Sequence, residues 1–382
     1  MNPIRRSAAG IAAIVTATAG LLAGSGVLAT SASASSSFIG GLTQTKVVAS
    51  TVPANGDQNP YGVAVVPRST GDLHRGNVLV SNFNDATDNN TNPPTGNVQG
   101  TGTTIVQVSP GGQASLFAQI SDPACPGGVG LTTALVALRS GWVIVGSLPT
   151  QGGAISGFGC LIVLDQWGHV RETLTGHGIK GPWDMTALDL GGITELFVTN
   201  VLGGILPTPT TANGGTVQRL LITSGPGEVP HVIASTQIGS GFQARTDPNA
   251  LVIGPTGVGL GFNGTLYVAD TLANRIAAIP NAVFRFKDDG TGSTVSENPA
   301  MMGPLEGPLG LAIAPNGDIL TVNSLDGNMV ETTPGGATAA VDTVDNNAGG
   351  AGNLFGLAVK PGADAVYFVD DFGSDNNLQL FF

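Results

Sequence analysis

Charge is scarce in this chain. Asp, Glu, Lys and Arg make up 10% of its 382 residues, against the roughly 25% of ordinary soluble domains. The 14 lysines and arginines are outnumbered by 26 acids, for a formal net charge of −12. A basic stripe able to neutralise nucleic-acid phosphates or an anionic membrane is therefore lacking. Histidine occurs only at positions 74, 169, 177 and 231, and none forms an H-E-x-x-H pair. There is no G-x-S-x-G elbow and no P-loop. Gly259, Gly261 and Gly264 match a dinucleotide fingerprint in spacing, but they lead into an apolar strand where that motif needs a helix N-terminus. Helical periodicity is almost absent. Beyond the N-terminus no run approaches the ~20 apolar residues of a membrane helix.

The N-terminus itself reads as a targeting segment. Arg5 and Arg6 precede an uncharged Ala/Leu/Val-rich run, and Ala32-Ser33-Ala34 supplies the small residues of a cleavage site. The expectation is a secretory signal peptide over residues 1–34, by a general or a twin-arginine route. Its removal takes the two arginines with it, and the formal charge from −12 to −14. Export places Cys125 and Cys160 in an oxidising compartment, where the even pair forms one disulfide worth about 3–4 kcal/mol in the chain-entropy model.

Glycine is abundant, with 58 residues, and it recurs in register. The stretch Leu305 to Val330 reads Gly-Pro-x-Gly, an apolar strand, a Pro315-Asn316-Gly317-Asp318 turn and a second apolar strand ending at Asn323. The pattern opens again at Asn59-Pro60-Tyr61-Gly62, Thr132-Thr133-Ala134, Gly181-Pro182-Trp183-Asp184, Gly254-Pro255-Thr256-Gly257 and Asn353-Leu354-Phe355-Gly356. Third strands follow at Thr104–Val108, Cys160–Leu164, Val217–Leu221 and Asn328–Thr332. Short strands with regular turn signals predict an all-β fold, a six-bladed β-propeller of four-stranded blades. The last copy ends at Leu378–Phe382, one strand short. Thr45–Ser50 supplies the missing outer strand, so the ring closes by pairing the two ends of the chain. One domain, 38–382, is expected. Polar insertions are read at Asn82–Gly102, Leu202–Gly215 and Phe286–Pro304.

The unit Pro-x-Gly-hydrophobic-Ala, Pro-Asn-Gly-Asp, Leu-x-Val-Asn/Asp resembles NHL repeats and the six-bladed propellers of the SMP-30/gluconolactonase-like superfamily. Phe262 to Ile276 is similar to an NHL unit. That resemblance implies the propeller fold and, in the lactonase branch, a divalent metal held by Glu, Asn and Asp beside the Pro-x-Gly slots. Here the slots carry Tyr61, Thr133, Trp183, Thr256, Leu309 and Phe355, without a carboxylate. Glu306 and Asp184 are scattered acids, too few for a hard cation. The Asp85–Asn92 run resembles a calcium loop in composition only, without the glycine and terminal Glu at the required spacing.

Two sets of positions remain as ligand-binding candidates. The aromatic slots Tyr61, Trp183 and Phe355, with Asp184 beside them, are read as the rim of the channel mouth; packed on one another, they would plug it instead. Asn82, Asn200, Asp270, Asn323 and Asp370 end the second strands, where a polar side chain either faces a shared cavity or bonds the neighbouring turn. His177 is the one histidine near the mouth. The expectation is a secreted or cell-envelope protein, monomeric, binding a small molecule, sugar or protein partner through an aromatic-rimmed mouth. No metal and no cofactor are expected. The alternative is a diverged lactonase, esterase or lyase, and only that alternative calls for Ca²⁺.

Overall fold

Among the described residues six antiparallel sheets form the blades, five of them from strands taken in chain order, and Thr150–Gln151 with Ala154–Ile155 makes a separate two-stranded ribbon. The computed structural model describes residues 36–382 apart from 86–97, 149, 152–153, 202–209, 248–250, 301, 351 and 373–375. The leader (1–34) and most of the Asp85–Asn92 run lie outside the described residues. Ser37 to Phe382 form one compact unit. Among the described residues no helix is long and apolar enough to cross a membrane.

From the axis outward, blade 1 holds Gln58–Val65, Val78–Asp85, Thr104–Val108 and Ala114–Gln119. Blade 2 holds Leu131–Ala137, Val143–Ser147, Cys160–Leu164 and Val170–Leu174. Blade 3 runs Pro182–Asp189, Ile193–Asn200, Ala212–Thr223 and Val232–Asp247, with Leu251–Ile253 added at its edge. Blade 4 is Pro255–Leu260, Leu266–Asp270, Arg275–Ile279 and Ser293–Glu297. Blade 5 is Pro308–Ile313, Ile319–Asn323, Asn328–Thr332 and Thr338–Thr343. Blade 6 takes Leu354–Val359, Val366–Asp370 and Asn377–Phe381 from one end of the chain and Thr45–Ser50 from the other. Thr45 pairs with Phe381 and Ser50 with Asn377, so the expected closure is present.

The insertion read at Phe286–Pro304 is not all loop. Ser293–Glu297 is the outer strand of blade 4 and pairs with Arg275–Ala278. Its polar Ser-Thr-Val-Ser-Glu composition fits an edge strand with little buried surface. Residues 212–215 of the second insertion, Leu202–Gly215, likewise join the long third strand of blade 3.

The core consists of apolar packets between neighbouring blades rather than a single centre. Leu79 and Ile105 of blade 1 pack on Val143 and Ile162 of blade 2, and Leu161 of blade 2 on Leu196 and Leu220 of blade 3. The ring is tight because slot glycines face the next blade's inner backbone. A Cβ at Gly310 would strike the Phe355 carbonyl, and one at Gly356 the Tyr61 carbonyl. The Cys125–Cys160 disulfide, with Cα atoms 5.6 Å apart, ties the segment entering blade 2 to that blade's third strand.

The first described residues form a strap. Glu331, on the third strand of blade 5 and fully buried, accepts hydrogen bonds from the Ser37 hydroxyl (2.6 Å) and the Phe38 and Ile39 amides (2.8 Å each). The Asn316 side chain adds a fourth donor at 2.8 Å. Burial works against ionisation of Glu331, but these donors outweigh it and hold the carboxyl below its usual range. Ile39 and Leu42 then pack among Leu320, Val322, Phe368 and Phe381 across blades 5 and 6. Glu331→Ala is expected to cost about 2–4 kcal/mol, since several charge-assisted hydrogen bonds vanish together. Denaturant unfolding of E331A, of a variant lacking Ser37–Leu42 and of their combination checks this. The two losses should overlap rather than add; full additivity would show that Glu331 does not act through the strap.

Candidate functional site

Every inner strand starts at a slot with a register irregularity, so the slot residue turns toward the axis. The structure closes the channel there. Tyr61 stacks between Phe83 (ring centroids 4.3 Å apart) and Phe355 (4.0 Å), with Trp183 tilted at 6.2 Å. Tyr61, Trp183 and Phe355 are 1–3% exposed. Leu148, Ile155, Leu251 and Val252, from chain that reaches over this end, complete the packet with Leu309. The slot aromatics thus form a plug, not an open rim. Face-to-face stacking buries rings that a rim would leave in water.

The strand-end residues are tied down. The Asn82 side chain donates to Thr51 O at 2.9 Å, Asn323 to Pro304 O at 2.8 Å, and Asn200 accepts from the Lys180 and Gly181 amides at 2.9 and 3.1 Å. Each of these three holds the segment that enters its own blade. Asp270 pairs with Arg275 at 2.8 Å, and Asp370 accepts from the Phe372 amide and the Gln379 side chain. All five are buried. Their bonds are those of structural clasps. His177 is an exposed turn residue with φ of 50°, and the structure does not bring it to the cavity wall.

Beyond the plug the channel widens into a cavity of about 420 Å³. Side chains alternate along a strand, so the positions two and four after each slot also face the axis. The first such tier is Val63, Leu135, Met185, Val258, Leu311 and Leu357, and the second Val65, Ala137, Ala187, Leu260, Ile313 and Val359. Ala137 and Ala187 make room beside blades 2 and 3. The lining continues past the inner strands to Pro67, Leu138, Arg139 and Asp189, and Arg139 is exposed. The cavity therefore opens at the end opposite the plug. At this mouth the Arg139 amide donates to Asp189 Oδ2 at 2.7 Å.

Asp184 is the sequence-predicted candidate that reaches this cavity. It stands where four other blades have the slot glycine, and its carboxylate crosses to blade 4 to accept the Val258 amide at 3.0 Å. It lines the cavity while only 8% exposed. Burial pushes its carboxyl up to about 7, against the Met185 and Val258 amides that favour the anion. Thr133, on the inner strand of blade 2, also lines the cavity and carries a buried hydroxyl without a hydrogen-bond partner. On the plug side Asp371 is pushed up to about 8 by burial and by the charges of Asp370 and Asp345.

The metal of the lactonase branch does not fit these residues. The slots hold no carboxylate, and among the described residues no three of His, Cys, Asp and Glu are grouped to hold an ion. Sequence reasoning missed the two apolar tiers and the mouth residues Arg139 and Asp189. Their signal is the period of two that continues from each slot down its strand.

No protein-family model matches the chain, and no curated protein matches it. Solved structures do match in fold. A calcium-binding regucalcin from Agrobacterium tumefaciens aligns over 87% of this chain and 92% of its own, with 13% identity and a TM-score of 0.53. A gluconolactonase from Xanthomonas campestris aligns over 90% of both chains, with 12% identity and a TM-score of 0.51. A PQQ-bound aldose sugar dehydrogenase from Streptomyces coelicolor aligns over 88% of this chain and 97% of its own, with 15% identity and a TM-score of 0.50. What these likenesses share with the chain is the fold, a six-bladed β-propeller of four-stranded antiparallel blades.

Proposed function

We propose that this chain is an exported binding protein that takes a small, largely apolar molecule into the axial channel from the end opposite the aromatic plug. The observation that carries this reading is the cavity of about 420 Å³ with two apolar tiers and a buried carboxyl at its inner end. A pocket of this size, in which apolar side chains are combined with placed polar groups, is the usual form of a small-molecule site. Export is supported by the leader-like N-terminus and by the disulfide.

A second reading is favoured by one feature, the Asp184 carboxyl titrating at about 7. Such a group suits general acid–base chemistry on a bound molecule, which would make the chain a diverged hydrolase or lyase. No metal step enters either reading.

The test is to fill the lumen. Ala187→Trp places a large ring in the second tier while leaving the plug and the clasps in place. Equilibrium dialysis against neutral apolar molecules of cavity size should show binding to the wild-type chain and at least a tenfold loss in A187W, with Ala137→Leu giving a smaller loss. Binding that survives both substitutions would place the ligand elsewhere.

A further inference from the structure

Asp184 departs from the repeat. Gly62, Gly257, Gly310 and Gly356 occupy the same position in four other blades, and Ala134 does in blade 2. Among the described residues that line the cavity, Asp184 is the carboxyl on its inner part, and it reaches across the seam to the Val258 amide of blade 4. The Thr133 hydroxyl on the inner strand of blade 2 is buried without a partner. The other charged groups on the wall, Arg139 and Asp189, sit at the mouth. Asp189 already accepts from the Arg139 and Gly191 amides.

Different ligand ends meet this arrangement differently. A purely apolar end would cover the carboxyl and the hydroxyl without bonding either, which is costly. A carboxylate would face the like charge of Asp184. An ammonium brings three donors and a positive charge to an acceptor and a hydroxyl.

On the channel-binding reading above, we propose that the ligand is a primary amine with an apolar body, its ammonium set against the Asp184 carboxylate and the Thr133 hydroxyl. The body then lies along Leu135, Met185, Ala137 and Ala187 toward the mouth. Binding ionises Asp184, so below neutrality one proton passes from the carboxyl to the solvent for each amine bound.

Calorimetric titration of the full chain with 4-phenylbutylamine, 4-phenylbutan-1-ol and 4-phenylbutanoate tests this. The amine should bind at least tenfold more tightly than the alcohol at pH 8, and the carboxylate most weakly. Amine affinity should rise about tenfold between pH 6 and pH 8, following the ionised fraction of a carboxyl titrating at about 7. In buffers of different ionisation enthalpy, about one proton should be released at pH 6 and almost none at pH 8.5. Asp184→Asn should bring the amine down to the level of the alcohol, and Thr133→Val should weaken the amine several-fold while sparing the alcohol. Equal affinities for amine and alcohol, or an amine preference that persists in D184N, would overturn the proposal and leave the channel reading standing. Failure of all three compounds to bind, or binding unchanged in A187W, would overturn both.

Discussion

Replacing Tyr61 with alanine is expected to cost roughly 3–5 kcal/mol, the range for truncating a large buried aromatic side chain. Tyr61 is 1% exposed and is the ring on which the plug converges, with Phe83 at 4.3 Å, Phe355 at 4.0 Å and Trp183 at 6.2 Å. Its removal strips contacts from three aromatic partners at once, and little can collapse into the gap because the slots are anchored by backbone pairing between strands. Tyr61→Phe separates the ring from the hydroxyl. That hydroxyl lies near Asn59 without hydrogen-bond geometry, so Y61F should change stability by no more than about 1 kcal/mol. Urea unfolding of the two variants checks both values. Emission from Trp183 should move to the red in Y61A as water enters the plug. A loss below about 1 kcal/mol in Y61A, or equal losses in Y61A and Y61F, would mean that the stack does not hold the channel shut.

The architecture was legible because it repeats. Gly-Pro-x-Gly slots, Asn-Gly turns and apolar doublets recur often enough to count blades, and the unmatched strand at Thr45–Ser50 had one partner to find. The slot residues were legible as a tier but not in what the tier does. A period of two says that Tyr61, Trp183 and Phe355 point to the axis, not that they close on one another, since that depends on how far the rings reach across a channel of unknown width. The outer strand Ser293–Glu297 was hidden because an edge strand with two wet faces has the composition of a loop. Asp184 was visible as an exception to a glycine position. Its meaning was not, because the cavity depends on Ala137 and Ala187 being small on two adjacent blades, a coincidence in space with no mark in either strand alone.

Asp184→Asn is expected to make the chain more stable at pH 8 by roughly 2–4 kcal/mol, since each tenfold change in proton affinity is worth about 1.36 kcal/mol. Near pH 4 the same substitution should change stability by less than about 1 kcal/mol. The folded carboxyl titrates at about 7, against an ordinary value of 3.8. Between those limits the folded chain keeps a proton that the unfolded chain has released. Stability therefore falls as pH rises from about 4 to 7, by up to ~1.4 kcal/mol for each pH unit, and this contribution levels off above 7. Asparagine has no such proton, and its side-chain oxygen can still accept the Val258 amide that Asp184 accepts at 3.0 Å. Asp371 and Asp318, raised to about 8 and about 6, remain in the variant and leave part of the slope in place. Denaturant titrations of both proteins at pH 4.5, 6, 7 and 8 read the difference directly. Parallel curves, or a D184N chain less stable at pH 8, would mean that the carboxylate has a stabilising partner in the folded chain. A wild-type residue that weakens its own fold at neutral pH is better understood by what it binds than by what it supports. Adding 4-phenylbutylamine at pH 8 should then close the gap between the two proteins, because the ammonium compensates the buried charge in the wild type and finds none in the variant.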